Sequence, residues 1–463
     1  MEIKSVTKIT MLGIVGVLAM ACENFVEVDV PADKLTKTTV FNSDQTARSA
    51  MQGIYNELFR SASFSRGGYA SVTAVGGLSS DELVPIDGTN TVYREFQENE
   101  ILTNNPNNLR LWSSAYNVIY MANALLEGLA ATEQVSAHLK TQLEGEARFI
   151  RAFTFFYLVN LYGDVPMVLN TDYRVNAIMG RTPVEEVYDQ ILNDLNEATT
   201  MLADGYLNGE RTNVNRLAAE ALLARVYLFR GNWEAAEAHS TQVIDQVGTY
   251  ELLPNLDEVF LKNSREAIWQ ISPAGLGSTR SYTNEGGSFI APNPTFAMTE
   301  QLALSFAELD KRKISWTGFN ADNNTYFPHK YKDYGSANNI TEYSMVLRLA
   351  EQYLIRAEAR AHQEDLPGAI ADLDKIKERA GLELVADTRP DIGKEQLLDE
   401  ILWERRTELF TEWGHRWLDL KRTGLADAVL GTNKPTWQST DALYPIPEEE
   451  RLKNTNLSQN TGY

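Results

Sequence analysis

The sequence is poor in the residues that most often perform chemistry. It contains one cysteine and five histidines among 463 residues. One cysteine excludes an internal disulfide, and the histidines are too far apart in sequence to form a zinc motif such as H-E-x-x-H. No P-loop, no G-x-G-x-x-G and no complete nucleophile elbow is present. We therefore predict that the protein is not an enzyme, has no catalytic residues, and uses neither a metal nor another cofactor.

Positive charge is scarce as well. The chain has 42 Lys and Arg but 63 Asp and Glu, which gives a formal net charge of −21 at pH 7. So acidic a chain repels phosphate backbones, which argues against nucleic acid as a partner. Apolar runs of membrane length are absent after Cys22, and no Pro-rich or Gly/Ser-rich linker divides the chain. We expect residues 41–463 to form a single soluble body.

The only cysteine lies where a short apolar segment ends. Lys4 and Lys8 precede an apolar core over residues 9–18, and small residues lead up to Cys22. Charge, length and small terminal residues are typical of a signal peptide. The apolar run is too short to cross a bilayer, which takes about 20 residues.

The same segment resembles a bacterial lipobox, whose cysteine is acylated before cleavage, although Ala19 stands where leucine is usual. We predict a lipoprotein signal peptide over residues 1–21, lipidation of Cys22, and an extended, lipidated tether over residues 22–40. A plain signal peptide followed by a free cysteine is the alternative. Stable anchoring requires more than one acyl chain, and a lipoprotein cysteine carries two or three.

Beyond the tether, apolar residues follow helical spacing, and helices are predicted from residue 43, over about 107–130, and over much of 144–202. The clearest repeat is a tetratricopeptide-like helix pair, with small and aromatic residues at the expected offsets: Leu223, Ala224, Tyr227, Gly231, Trp233 and Ala236. A weaker copy follows near Ala357 and Ala369, where Glu364 replaces the usual glycine. With a degenerate unit at 144–202 and helices at 396–420, the pattern predicts a mainly all-α fold.

Two segments have a different texture. Residues 61–105 and 272–345 are rich in Gly, Asn, Ser, Thr and aromatics, so we predict long loops with a few short strands. One such strand is AIWQIS, which ends at the start of the second segment. Aromatic rings in polar loops suit sugars, whose apolar C–H faces stack on flat rings. The candidate ligand-binding residues are Tyr69, Tyr93, Arg94, Tyr282, Phe289 and Trp316.

Arg94 is included because its guanidinium can donate to two oxygens at once. For each ring the alternative is simple packing of the loop against the helices. This alternative applies most strongly to Trp316, because DKRKISW could be a strand that buries its ring.

Four segments together resemble the SusD/RagB family of Bacteroidetes outer-membrane lipoproteins. They are GEARFIRAFTFFYLVNLYGDVP, VLRLAEQYLIRAEARA, ILWERRTELFTEWGHRWLDLKRTG and the tail LYPIPEEERLKNTNLSQNTGY. With the lipobox cysteine, the resemblance covers nearly the whole chain in the family's order. In the third segment five residues follow helical spacing, which indicates core residues and ion pairs and not a cofactor site: Leu402, Arg406, Leu409, Trp413 and Trp417.

The resemblance implies a SusD-like fold with tetratricopeptide-like helix pairs as its scaffold, with residues 41–270 as an N-terminal part and 271–463 as a C-terminal part. It also implies an outer-membrane lipoprotein that faces outward, captures oligosaccharide, and acts as a lid on a SusC-like TonB-dependent barrel transporter. Some members of the family handle other nutrients. A binding protein for peptide or another small nutrient is therefore the alternative function, and a glycan-active enzyme is a less favoured one.

Overall fold

The chain folds mainly into α-helices, with short strands between them. A computed structural model describes residues 40–274, 280–335 and 339–463, so the predicted signal peptide, Cys22 and nearly all of the tether lie outside the described residues. The longer helices are α1 (Asp44–Arg60), α2 (Val72–Ser79), α3 (Thr91–Glu98), α4 (Pro106–Ala130), α5 (Ala137–Tyr162), α7 (Val184–Met201), α8 (Arg216–Phe229), α9 (Trp233–Ile244), α13 (Leu349–His362), α14 (Leu366–Ala380), α16 (Lys394–Glu408), α17 (His415–Arg422) and α18 (Ala426–Asn433).

Helices of four to six residues connect them: α6 (Tyr173–Asn176), α10 (Asn284–Phe289), α11 (Glu300–Ala303), α12 (Lys311–Ser315), α15 (Val385–Thr388) and α19 (Glu448–Lys453). The strands are β1 (Leu83–Pro85), β2 (Ala267–Ile271), β3 (Phe296–Met298), β4 (Thr317–Asn320), β5 (Thr325–Pro328) and β6 (Ser344–Arg348). None of these helices has the length and apolar character needed to span a membrane.

The predicted helix pairs are present and form the scaffold. Helices α4, α5, α7, α8, α9, α13, α14 and α16 follow one another in a stack, each packed against the next. Small residues on α8, α9 and α13 let these three helices approach closely in one apolar cluster. Helix α5 is buried over almost its whole circumference, as its continuous apolar sequence predicts, and ends at Gly163. The prediction of a mainly all-α fold with this scaffold is confirmed.

The turns of the two repeats have a left-handed residue at the same position. Gly231 joins α8 to α9 with a φ of 66°, and Glu364 joins α13 to α14 with a φ of 67°. A glycine adopts this left-handed conformation without cost, whereas a residue with a Cβ is strained there. The weaker repeat therefore keeps the geometry of the stronger one despite its altered turn residue.

The two segments predicted as long loops with a few short strands contain such strands, and they also contain short helices that the sequence does not reveal. Residues 61–105 hold α2, β1 and α3, and residues 272–345 hold three strands and three short helices. All eight residues of α2 are buried, so the helix has no polar face and no periodicity to reveal it. The strands are only three to five residues long and gain their stability from neighbours in the sheet.

A small sheet ties these two segments together. Its strand order is β1-β3-β5-β4, and every pairing is antiparallel. Leu83 of β1 lies opposite Met298 of β3, and Pro85 lies opposite Phe296. A second sheet pairs β2 with β6 beneath the helices. The first sheet fixes the two segments next to each other and thereby determines where their side chains meet.

An ionic network fills the interior where β2, β6, α14 and α16 meet. Arg348 Nη1 lies 2.5 Å from Glu408 Oε1 and 3.0 Å from Glu266 Oε1. Arg379 Nη1 lies 2.7 Å from Glu266 Oε2, and its other terminal nitrogen contacts Glu408. Lys330 Nζ lies 2.5 Å from Glu412 Oε1. All of these groups are buried and have lost their hydration, so each charge is stabilised by its ion-pair partners in place of water.

The last twenty residues close the fold over its first half. The Nδ2 of Asn460 donates to the carbonyl oxygens of Tyr162, at 2.9 Å, and Tyr444, at 2.8 Å. The hydroxyl of Tyr444 is 2.8 Å from Ser79 Oγ at the end of α2. Arg181 Nη2 donates to Asn460 Oδ1 at 2.5 Å. The C-terminal segment is thus a structural part of the N-terminal core.

Candidate functional site

The turn over residues 64–71 lies directly against α10. Gly67 has a φ of 83°, and a Cβ placed on it would lie 2.1 Å from Glu285 Cδ. A Cβ on Gly68 would lie 2.7 Å from Ser288 Oγ. Burial raises the pKa of Glu285 to about 7, because a hydrogen bond from Ser344 offsets only part of the lost hydration. Only two adjacent glycines allow the first segment to approach the second one this closely.

Tyr69 follows these glycines in an unusual conformation. Its φ is 51°, and 38% of the residue is exposed. A bulky residue is rarely found in this left-handed region, where the conformation costs on the order of 1 kcal/mol. The guanidinium carbon of Arg66 lies 5.3 Å from the centroid of its ring. The turn therefore holds Tyr69 and Arg66 together at the surface at some cost in backbone energy.

Tyr93 stands next to this turn on α3. Its ring is half-buried and meets Phe296 of β3 edge-on, with 4.9 Å between centroids. Burial raises the pKa of Tyr93, while a hydrogen bond with Asn107 lowers it. Asn107 Oδ1 also accepts from Arg110 Nη1 at 3.1 Å. The start of α4 thus adds a second arginine beside the ring.

The second segment contributes another aromatic pair and a third arginine. Tyr282 is half-buried, and its centroid lies 5.0 Å from that of Tyr334, a residue that is 42% exposed. Arg280 places its guanidinium carbon 5.9 Å from the Tyr282 centroid and donates to Asn284 of α10. These residues flank the same short helix that supports the Gly67–Gly68 turn.

Arg66 connects the two halves of the cluster electrostatically. Burial lowers its pKa most, and the positive charges of Arg280 and Arg110 lower it further. The nearby Tyr69 and Tyr93 hydroxyls act in the opposite direction. We call the set Arg66, Tyr69, Tyr93, Arg110, Arg280, Tyr282 and Tyr334 the Tyr/Arg cluster. The structure therefore brings Tyr69, Tyr93 and Tyr282 of the predicted residues together.

Two predicted rings are core residues, and their selection as exposed rings is wrong. Phe289 is 3% exposed and packs on Phe296 from the inner side of α10. Trp316 is 0% exposed, and its indole Nε1 donates to the carbonyl oxygen of Leu256 at 3.0 Å. Trp316 follows the last turn of α12 and covers the ionic network, with Lys330 Nζ 4.9 Å from its ring. Neither ring can stack on a ligand in this conformation.

Arg94 is also separated from the cluster. Successive residues on a helix point about 100° apart, so Tyr93 faces Phe296 while Arg94 faces elsewhere. Arg94 lines a different groove of about 670 Å³ with Gln438, Asp441 and Tyr463. Its Nε lies 3.5 Å from Glu98 in an exposed ion pair.

Sequence reasoning missed four members of the cluster: Arg66, Arg110, Arg280 and Tyr334. Arg66 and Arg280 each lie two or three residues before a predicted tyrosine, in RGGY and RSY, which is the local signal that could have found them. Arg110 lies in the long helix α4 and is distant in sequence from the other members, so no local sequence signal links it to the site. Among the described residues, no group of three or more His, Cys, Asp or Glu could hold a metal ion.

Comparison with known proteins agrees with this architecture. A family model described as "Starch-binding associating with outer membrane" matches residues 29–228, and the "SusD family" model matches residues 313–463. "SusD-like protein P25" of Formosa agariphila is 25% identical over 96% of this chain and 97% of its own length.

Solved structures share the fold. A SusD superfamily protein from Bacteroides vulgatus has a TM-score of 0.81 at 20% identity, covering 92% of this chain and 100% of its own. A structure titled "Laminarin binding SusD-like protein" has a TM-score of 0.74 at 24% identity, covering 91% of this chain and 100% of its own. The two family models together match most of the chain, over residues 29–228 and 313–463, and they show that the chain belongs to the SusD/RagB family.

Proposed function

We propose that the protein is a non-enzymatic cell-surface lipoprotein that captures oligosaccharide and acts as a lid on a SusC-like TonB-dependent transporter of the outer membrane. The observation that carries the proposal is the Tyr/Arg cluster, in which accessible rings from two distant segments meet on a rigid helical scaffold. Flat rings provide stacking surfaces for the apolar faces of sugars, and arginines donate to ring oxygens and hydroxyls. A scaffold of packed helices keeps such a surface in place before the ligand arrives.

The relatives support a glycan as the ligand. The family model that matches residues 29–228 is described as starch-binding, and a structural neighbour is titled a laminarin-binding protein. The same family description includes association with the outer membrane, which agrees with a lipid on Cys22. These descriptions belong to other proteins. In this chain the Tyr/Arg cluster is the feature that suits the glycan binding they describe.

Ligand class is tested by calorimetric titration of the purified protein with neutral and charged oligosaccharides and, in parallel, with peptides. We expect Tyr69→Ala combined with Tyr282→Ala to weaken glycan binding by about 1–3 kcal/mol, because two stacking surfaces are lost. Tyr173→Ala is the control. Tyr173 is 76% exposed on α6, which lies near Glu127, about 25 Å along α4 from Arg110.

Two results would contradict the proposal. Tight binding of a peptide with no glycan bound would favour the alternative nutrient, and release of shortened products from an intact glycan would identify an enzyme. Equal glycan affinity in the double variant and the control would remove the Tyr/Arg cluster as the site.

Anchoring and partnership are tested in the native membrane. Cys22→Ala should release the protein from membranes, because the acyl chains are its proposed anchor. The wild-type protein should co-purify with a large β-barrel transporter in mild detergent. Retention of the Cys22→Ala protein in carbonate-washed membranes that lack the transporter would contradict the lipid anchor, and elution of the wild-type protein alone would contradict the lid.

A further inference from the structure

The Tyr/Arg cluster concentrates positive charge in a strongly acidic protein. The chain carries a formal net charge of −21, yet three arginines from three separate segments converge on this surface: Arg66, Arg110 and Arg280. Buried arginines in the helical scaffold lie against carboxylates. Arg225 lies 2.6 Å from Glu351, and Arg422 lies 2.5 Å from Glu358. The local excess of positive charge therefore contrasts with these two neutralised pairs.

The hydrogen bonds of Arg66 and Arg110 leave their positive charges without a carboxylate partner among the described residues. Arg110 Nη1 donates to the neutral amide of Asn107 at 3.1 Å. Within the described ranges, Arg66 and Arg110 form no ion pair with a carboxylate, and the buried Nε of Arg66 has no hydrogen-bond partner. A buried N–H group without a partner is costly and points to a group that binds there.

Like charges add to that cost. Arg66 is partly buried beside Arg110 and Arg280, and repulsion between cations is strengthened where water is excluded. A sugar hydroxyl could accept one hydrogen bond from Arg66, but it carries no charge and would leave the repulsion unchanged. A carboxylate or sulfate group removes both costs, since it accepts two parallel N–H bonds from a guanidinium and neutralises positive charge.

We propose that the Tyr/Arg cluster binds an anionic saccharide, one with carboxylate or sulfate groups, with Arg66 contacting the acidic group and Arg110 and Arg280 flanking it. The rings of Tyr69, Tyr93 and Tyr282 lie against the sugar faces. This inference rests on the proposed function and narrows its ligand class. An acidic peptide would also neutralise the arginines, but it would leave the accessible tyrosine rings without the flat apolar partner that a sugar ring supplies.

The test uses the full-length protein and two matched pairs of probes. One pair is an oligogalacturonate and its methyl ester, and the other is a sulfated oligosaccharide and its desulfated form. We expect the charged member of one pair to bind at least about tenfold more tightly than its neutral partner, with an affinity that falls as salt is raised. The pair that shows the difference identifies the acidic group.

Two variants assign that difference to the cluster. Arg66→Gln should remove most of the preference for the charged probe and change the affinity for the neutral probe by less than about twofold, whereas Arg66→Lys should retain part of the preference. Arg110→Gln provides a second variant if the first one folds poorly. Arg94→Gln, in the neighbouring groove, is the control and should leave the preference unchanged.

Equal affinity for charged and neutral probes would overturn the inference and leave the proposed function intact, provided that the Tyr69 and Tyr282 double variant still loses binding. A charge preference that survives both Arg66→Gln and Arg110→Gln would overturn the assignment to these arginines. Binding of acidic peptides in place of every saccharide would overturn the inference together with the proposed function, as would failure of all four probes and of the wider glycan panel to bind.

Discussion

Tyr69 links backbone strain to the exposed surface of the site. At a φ of 51°, a residue with a Cβ is less stable than glycine, typically by about 1 kcal/mol. We therefore predict that Tyr69→Gly unfolds at higher urea concentration than Tyr69→Ala, while both variants lose the same amount of ligand affinity because both lack the ring. Urea denaturation and calorimetric titration measure the two effects separately. Equal stability of the two variants would show that the φ angle is unstrained, and normal affinity would show that the ring does not contact the ligand.

Glu285, which packs beneath the Gly67–Gly68 turn, makes the stability of the protein depend on pH. Its pKa is about 7 in the folded protein, against about 4.3 in an unfolded chain, so the folded state holds the proton more tightly. The stability from this proton is fully present below about pH 4 and is lost as the pH rises through 7. Glu285→Gln should reduce the loss of unfolding free energy between pH 5 and 8 by on the order of 3 kcal/mol.

The measurement is urea denaturation at several pH values, and Glu308→Gln, at an exposed position, is the control. The pH profile of Glu285→Gln must be compared with that of the wild type, because Glu82 and Glu342 contribute to both profiles. Burial raises the pKa values of these two residues to about 7 as well. A pH profile of Glu285→Gln parallel to that of the wild type would contradict the prediction.

At the scale of elements, the two repeat turns offer a matched experiment. Glu364 has the left-handed φ that glycine has at position 231, and its ion pair with Lys394 is largely exposed and worth little. Glu364→Gly should therefore raise the unfolding free energy by about 0.5–1 kcal/mol, whereas Gly231→Ala should lower it by about 1 kcal/mol. A Cβ at Gly231 would meet only Trp233 at 3.6 Å, so the loss would report the backbone alone. Thermal and urea unfolding measure both changes, and a loss of stability in Glu364→Gly would contradict the comparison.

The sequence predicts the long helices well and the short elements poorly, for a physical reason. A helix such as α8, with small and aromatic residues at repeat offsets, shows its packing in its own sequence. Helix α2 and strand β1 do not, because their stability comes from partners distant in sequence, such as Met298 opposite Leu83.

The same reason divides the candidate site. Tyr69, Tyr93 and Tyr282 are recognisable as aromatics in polar surroundings, and the structure leaves all three at least partly accessible. Trp316 has similar neighbours in sequence, yet it is buried over charged groups that arrive from other segments. Arg110 reaches the site only because α4 begins beside α3.

At the scale of the whole molecule, the ionic network makes distant segments depend on one another. Glu408 contacts Arg379, Arg348 and Arg312, and these arginines hold its pKa below the ordinary value despite burial. Glu408→Gln should lower the unfolding free energy by about 3–5 kcal/mol, because it leaves three buried arginines short of a counter-charge. Asp399→Asn on the exposed face of the same helix should change it by less than about 0.5 kcal/mol. Chemical denaturation measures both, and a loss below about 1 kcal/mol in Glu408→Gln would contradict this role.

The contacts of Asn460 and Tyr444 with Tyr162 and Ser79 have a consequence for the order of events during biosynthesis. Contacts that join residues about 300 positions apart form late, because the intervening chain must first be ordered. The N-terminal core cannot be completed while residues 444–463 are still inside the ribosome. The emerging chain therefore stays incompletely folded until Asn460 and Tyr444 become available, so the rate at which the native core forms is limited by its C-terminal segment.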